Sequence, residues 1–490
     1  MGKETGSLGL KSFKGVLWNV FGRVSNQAMG FAMGILLARM IAPESYGLIA
    51  MALVVVGMIG FLIDGGFSTA LIRKKAPSES DYHTVFWFNM AVAVVLYVLI
   101  WLSAPALERF FETPALVPVI RWISLGLVIQ GLVAIQRIQL TKRLAFKAMN
   151  LTSLVATFVS GVLGIGLALA GYGVWALVVQ QLSSQLLSAL LLILVNRWRP
   201  VWHFSRDSFR ELFGFGSKLL LSGLLNSIFE NLYPLIVGKL FSPAALAFYT
   251  RADSYQKLIA RNLTSIVGSV SFPSLAPLQD DNARLKQAYR QMIRMVMLVN
   301  APVLLGLMAV AQPLIVLMIT DKWLPTVPYL QWLCLAGLLY PLHAINLNVI
   351  NVKGRSDIFL KLEIAKKILV VLAIFAGLPW GVLGLVIGQV ITSFLAYFLN
   401  AYFSLRLIGY TLKEQLADVL PFMLLAALMA LGVWGIGMED PGLKIADWGL
   451  GLQLLVQVSA GALFYLGAVW LLKLSALRQL VELLRRVVKG

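Results

Sequence analysis

The sequence predicts an all-α polytopic membrane protein of about fourteen transmembrane helices: two parallel six-helix repeats around a central cavity, plus two extra C-terminal helices. Three observations predict it. The 490 residues are 59% hydrophobic and 13% charged, with a mean hydropathy of +0.83, whereas a soluble domain carries about 25% charged residues. The apolar residues gather into runs long enough to cross a bilayer. Lys and Arg fall almost entirely on alternate connections between those runs.

A spanning helix needs roughly 20 predominantly apolar residues. Runs of this kind occupy 15–38, 47–71, 85–104, 119–137, 149–170, 173–195, 214–238, 244–271, 294–317, 330–351, 362–378, 381–403, 416–437 and 450–472. Each must be helical, because lipid offers no partner to an unpaired backbone group. The N-terminal MGKETGSLGLKSFKG is basic and precedes an apolar stretch, as in a signal peptide. That stretch runs on to about residue 38 and carries Arg23. It is too long and too polar for a cleaved segment, so it reads as an uncleaved first span.

The connections test the count through the positive-inside rule. Of the 41 Lys and Arg, 30 lie in the even-numbered connections and the two tails, 6 lie in or at the ends of spans, and only Arg39, Arg109, Lys239, Lys322 and Lys444 lie in the odd-numbered connections. Both termini are therefore expected in the cytoplasm. The formal net charge of +19 is mostly this asymmetry, so no nucleic-acid partner is needed to explain it. The odd-side connections are short and leave no extracytoplasmic domain to house catalysis, so the chain reads as a non-enzyme. Cys334 has no internal disulfide partner. His83, His203 and His343 are far apart and lack ligand spacing, so neither metal nor cofactor is expected.

An internal repeat organises the spans. ARMIAPESYGLIAMA (38–52) aligns with GKLFSPAALAFYTRA (238–252), so that Pro43 matches Pro243 and Asn26 matches Asn226. VPVIRWISLG (117–126) aligns with VPYLQWLCLA (327–336), and GVWALVVQQ (173–181) with GVLGLVIGQ (381–389). Each repeat holds six spans. Because that number is even, both halves start on the same side and are parallel repeats, the arrangement of an alternating-access transporter. The expected layout is an N-tail (1–14), a first lobe (15–197), a cytoplasmic linker (198–213), a second lobe (214–407), two further spans (408–472) and a basic amphipathic tail (473–490).

Charges within spans are the candidate functional residues, since one at the membrane centre costs about 2.5–3.5 kcal/mol on insertion scales. Span 8 carries Arg251, Asp253, Lys257 and Arg261. With Arg251 at 0° on a helical wheel, the other three fall at about 200°, 240° and 280°, opposite Ala252, Tyr255, Ile259, Leu263 and Ile266. Asp253 and Lys257 form an i, i+4 pair. Arg23 in span 1, Asp64 in span 2 and Glu230 in span 7 complete the set. A cationic, water-filled cavity that attracts an anion is one reading. An internal ion-pair network, for example Glu230 with Arg251, is the structural alternative. Pro234, Pro341, Gly30 and Gly34 interrupt spans and are candidate hinges; packing is the other explanation, and the stronger one for the glycines. The tail LSALRQLVELLRRVVKG alternates apolar and basic residues at helical spacing, which suits the anionic lipids of the inner leaflet.

LLARMIAPESYGLIAMA, the span ending GGFSTALIRKK, and GKLFSPAALAFYTRADSYQKL…SVSFPSLAPLQDD resemble the polysaccharide transporter family. That family belongs to the multidrug/oligosaccharidyl-lipid/polysaccharide exporter superfamily, and the nearest type is the Wzx-like lipopolysaccharide, colanic-acid and teichuronic-acid exporters. The resemblance covers residues 10–410. It implies a flippase of the bacterial inner membrane that moves oligosaccharides linked to undecaprenyl diphosphate to the periplasmic leaflet. It further implies a cationic cavity for the diphosphate, with Arg251, Lys257 and Arg261 as lining residues. Arg23 fits such a cavity without a motif match. Coupling to a proton or sodium gradient would fall to Asp64 or Glu230. Polysaccharide polymerase and chain-length proteins are the implied protein partners. A peptidoglycan lipid-precursor flippase and a cation-drug antiporter of the same superfamily remain alternatives, as does a membrane glycosyltransferase or polymerase, which would need catalytic groups in sizeable loops.

Overall fold

A computed structural model gives the fold. It describes residues 2–437, 449–474 and 476–477, apart from the side chains of 2–17, 19–20, 266, 269–270 and 273. The described chain is a succession of helices, with no strand among those residues. In order they are α1 (Gly2–Met40), α2 (Pro43–Asp64 and Phe67–Arg73), α3 (Glu79–Phe111), α4 (Leu116–Ile123 and Leu125–Lys142), α5 (Phe146–Leu169), α6 (Val174–Asn196) and α7 (Arg206–Leu240). Then come α8 (Pro243–Leu275), α9 (Asn282–Ala309 and Ala311–Ile319), α10 (Thr326–Gly337 and Tyr340–Val352), α11 (Ser356–Gly377), α12 (Gly381–Ile408), α13 (Leu412–Gly437) and α14 (Leu450–Leu471). Each predicted span has its helix. Among the described residues, 11 helical stretches are long and apolar enough to cross a membrane, with α11 and α12 forming one such stretch. The more polar α1 and α8 fall outside that set. The amphipathic tail expected over 473–490 lies almost wholly outside the described residues, as does the connection carrying Lys444.

The chain divides into two compact units, Met1–Ala247 and Phe248–Gly490. In the first, α1 packs along α5 and α5 along α6. Small residues permit these approaches, as membrane helix packing requires: a Cβ on Gly161 would lie 2.6 Å from Met33. Asn26 donates to the carbonyls of Gly22 (2.8 Å) and Asn150 (3.1 Å), tying α1 to α5. α1 passes Gly30 and Gly34 without a break, and α7 passes Pro234 the same way.

α2 does break. Gly65 and Gly66 adopt φ of 54° and 76°, where glycine is free of the Cβ penalty, and the helix restarts at Phe67. A Cβ on Gly66 would lie 2.8 Å from the Gly216 Cα, so the break is also where the α2 and α7 backbones meet. α7 itself begins at Arg206, with the Ser205 hydroxyl accepting from the Ser208 N–H at 3.3 Å; residues 206–213 of the expected linker are therefore helical. The segment before it is pinned to α3. The Trp87 indole donates to the Val201 carbonyl (2.9 Å), Trp198 donates to Glu79 (2.9 Å), and the Ser205 N–H donates to Thr84 (3.0 Å).

In the second unit α9 packs against α13, α10 and α11 against α12, and α13 against α14. α13 and α14 are thereby docked onto α9. Asp418, whose side chain is 1% exposed, fixes that contact. Its carboxylate accepts from Arg290 (2.7 and 3.1 Å), from Arg294 (2.8 Å at Nε) and from the Tyr410 hydroxyl (2.7 Å). A buried carboxylate is tolerated only when its lone pairs are filled in this way.

α10 is interrupted between Gly337 and Tyr340, and Pro341 explains it. A proline has no N–H to offer the carbonyl one turn back, and its ring crowds that carbonyl. The buried Asn300 amide takes over, donating to the carbonyls of Leu338 (2.8 Å) and Gly337 (3.4 Å).

Candidate functional site

α8 starts at Pro243, where a proline costs nothing because the first-turn N–H groups have no helical partner. Its polar side chains are kept satisfied from within. Ser254, Asn262 and Thr264 donate to the carbonyls of Thr250, Leu258 and Ala260 at 2.7 Å each, the back-bonding that lets such residues sit in a spanning helix.

The wheel predicted from sequence describes this helix in part: of its apolar side Ala252 and Tyr255 are buried, while Ile259 and Leu263 are half-buried. Ala252, Tyr255, Gln256 and Ala260 are buried, within one sector of the wheel. Tyr249, also buried, accepts from the Gln389 amide of α12 at 2.8 Å. A Cβ on Gly337 would meet the Gln256 amide, so the end of the first α10 segment makes room for that side chain. The charged residues lie on the other side: Arg251, Asp253 and Lys257 are partly exposed and Arg261 is exposed.

Those charges are arranged unequally. Lys257 Nζ lies 2.6 Å from Asp253 Oδ2, the expected i, i+4 pair. The Arg251 guanidinium sits 5.2 Å from the centroid of the buried Trp323 ring and 6.0 Å from that of Tyr255. Such placement is worth about 0.5–2 kcal/mol and orients the fork. Arginine's planar fork matches two phosphate oxygens at once.

The remaining predicted residues have distinct settings. Asp64 ends the first segment of α2, and its carboxylate accepts from the Ser68 N–H at 3.1 Å and from the Ser68 hydroxyl. It therefore caps the segment that restarts at Phe67, supplying negative charge to a helix N-terminus. Arg23 is exposed on α1; Glu230 is exposed and Pro234 partly buried on α7. Gly30 faces open space, with nothing within 4 Å of where its Cβ would be.

Sequence reading missed a buried polar network in the second unit. His343 lies 3.0 Å from the Asn400 amide and 3.4 Å from the Ser393 hydroxyl. Ser393 donates to the Ala336 carbonyl (2.9 Å), Ser404 donates to Asn346 (2.6 Å), and Tyr289 donates to the same Asn346 oxygen. The signal was visible as a stripe: Ser393, Tyr397, Asn400 and Ser404 recur at helical spacing along α12.

These features define a multi-pass helical membrane protein with a charged face on one long helix, α8. A model of the family described as polysaccharide biosynthesis protein matches residues 36–328, and the chain belongs to that family. It is 28% identical over 413 residues to the teichuronic acid biosynthesis protein TuaB of Bacillus subtilis (strain 168), covering 83% of this chain and 84% of that protein. It is 26% identical over 443 residues to the lipopolysaccharide biosynthesis protein WzxC of Escherichia coli (strain K12), covering 87% and 89%. Among solved structures, the lipid II flippase MurJ in an inward closed conformation superposes with a TM-score of 0.72 at 15% identity, covering 92% of this chain and 97% of that one. At that identity the likeness concerns the fold.

Proposed function

We propose that the protein is a flippase. It moves an oligosaccharide linked to undecaprenyl diphosphate from the cytoplasmic to the periplasmic leaflet of the bacterial inner membrane by alternating access, with both its termini in the cytoplasm. The observation that carries this reading is the charged side of α8, three cations to one acid along a 33-residue helix that also carries the buried Ala252, Tyr255, Gln256 and Ala260. Charges are costly in a bilayer, and an anionic diphosphate gives these a use. Arg251 lies against the Trp323 ring, and an arginine's planar fork can match two phosphate oxygens. The relatives named for teichuronic acid and lipopolysaccharide biosynthesis, and the flippase fold, support a lipid-linked glycan as cargo.

The parallel repeat supplies the rocking motion in this reading, and the α10 break at Pro341 supplies a bending point whose carbonyls Asn300 keeps satisfied. Since Asp64 is committed to a helix cap, Glu230 is the acid to test for coupling to protons or sodium. Removal of the protein from its host tests the function. A lipid-linked oligosaccharide should accumulate on the cytoplasmic leaflet and surface polysaccharide should fall. Accumulation of the peptidoglycan lipid precursor instead would overturn the assignment of cargo.

A further inference from the structure

A second polar site opens on the first unit, away from α8, where Arg137 and Gln130 are exposed and Gln185 is half-buried. A cavity of about 210 Å³ is lined by Leu53 and Val56 of α2, Gln130, Val133 and Arg137 of α4, and Gln185 of α6. Its shape is specified in part by a glycine. A Cβ on Gly126 would lie 2.4 Å from the Gln185 Oε1, and one on Gly60 would lie 3.5 Å from the Gln130 Oε1. The Gln185 amide thus occupies space that only a glycine at 126 leaves open, while a Cβ on Gly60 would make ordinary contact with Gln130. No carboxylate among the described residues bears on Arg137, and neither amide has a hydrogen-bond partner among them.

We propose that this cavity binds a singly charged oxyanion, the carboxylate of a sugar acid, through Arg137, Gln130 and Gln185. Charge count separates this ligand from a diphosphate: one guanidinium balances one carboxylate, whereas a diphosphate brings two or more negative charges. A guanidinium and a carboxylate pair through two parallel bonds. Each glutamine amide offers two donors and an acceptor, which matches neighbouring sugar hydroxyls, while a phosphate would leave the amide oxygens unused. The volume holds roughly seven waters, below the roughly 300–1,000 Å³ of drug-sized sites, and is of the order of one sugar ring. Leu53, Val56 and Val133 give the ring's C–H faces an apolar wall.

The proposal rests on the flippase reading in one respect, that the carboxylate belongs to the transported glycan; binding itself does not depend on it. The test titrates the purified full chain with glucuronate, glucose and inorganic phosphate at matched ionic strength, by calorimetry and by the shift of thermal unfolding. Glucuronate should bind and protect, glucose and phosphate far less. Arg137→Gln should weaken glucuronate about tenfold or more, the effect of losing a charge-assisted paired contact. Arg137→Lys keeps the charge but loses the fork and should also weaken it, as should Gln185→Ala and Gly126→Ala. Phosphate binding as tightly as glucuronate, or glucuronate binding unchanged in Arg137→Gln and Gln185→Ala, would overturn the proposal. Arg137→Gln that loses glucuronate binding yet exports an acidic glycan at the wild-type rate would overturn the assignment of the carboxylate to the transported glycan. The Arg251→Ala, Arg261→Ala double variant should keep glucuronate binding and lose export. If it keeps both, the transport mechanism fails and the subsite stands.

Discussion

Lys257 Nζ and Asp253 Oδ2 stand 2.6 Å apart, one turn from each other on the charged face of α8, with side chains 26% and 14% exposed. An exposed pair of this spacing is worth about 0.3–0.5 kcal/mol. This one is less hydrated and less screened by salt, so a double-mutant cycle with Asp253→Asn and Lys257→Gln should return a larger coupling in thermal unfolding. If Lys257 also serves the substrate, Lys257→Gln should cut export severalfold while Asp253→Asn, which frees the ammonium, cuts it less. Equal loss in both variants would mark the pair as purely structural.

Asp418 should be among the least replaceable residues outside α8. Removing one partner of a buried ion pair costs about 3–5 kcal/mol, and here Asp418→Asn would leave Arg290 and Arg294 short of their shared acceptor. The two guanidinium groups still reach water, which places the loss near the lower end. Thermal unfolding of the purified variant should show it, with α13 and α14 released first in hydrogen exchange.

Asn300→Ala should destabilise by about 1–3 kcal/mol, because two carbonyls at the α10 break lose their donor inside the membrane. Pro341→Ala restores the missing N–H and should raise thermal stability. If the break is a bending point for transport, that same variant should export more slowly despite being more stable.

Two glycines give a direct contrast. Gly66→Ala meets both a left-handed backbone (φ 76°) and the Gly216 Cα at 2.8 Å, so it should fail to accumulate in the membrane or melt far earlier. Gly30→Ala meets nothing within 4 Å and should stabilise α1 by about 1 kcal/mol. Normal export in Gly30→Ala would end its candidacy as a hinge.

The helices are legible in the sequence because bilayer length is a strong constraint and every backbone group must be paired within its own helix. The two sides of α8 are partly legible, since a 100° step per residue separates Ala252 and Tyr255 from Lys257 and Arg261; the burial of Gln256 is not. The break before Pro341 is legible from the proline itself, whereas the one at Gly65–Gly66 is not, because an apolar run reads the same through an interruption. For the same reason Asp64 looks like a buried charge in the sequence, whereas the break turns it into a cap for Ser68. Arg137 reads in the sequence only as a cation at the end of an apolar run. Its pocket exists only once α2, α4 and α6 are brought together. His343 looked isolated because its partners Ser393 and Asn400 lie far along the chain.

The most direct test of the account is translocation by the purified protein alone. Proteoliposomes carrying its own undecaprenyl-diphosphate oligosaccharide would be probed with a membrane-impermeant reagent that oxidises the sugar, comparing wild type with the Arg251→Ala, Arg261→Ala double variant. The account predicts that wild type makes the labelled lipid on the inner leaflet accessible over time, and that the double variant, reconstituted and folded to the same extent, does so at least tenfold more slowly. Equal rates in the two would contradict it.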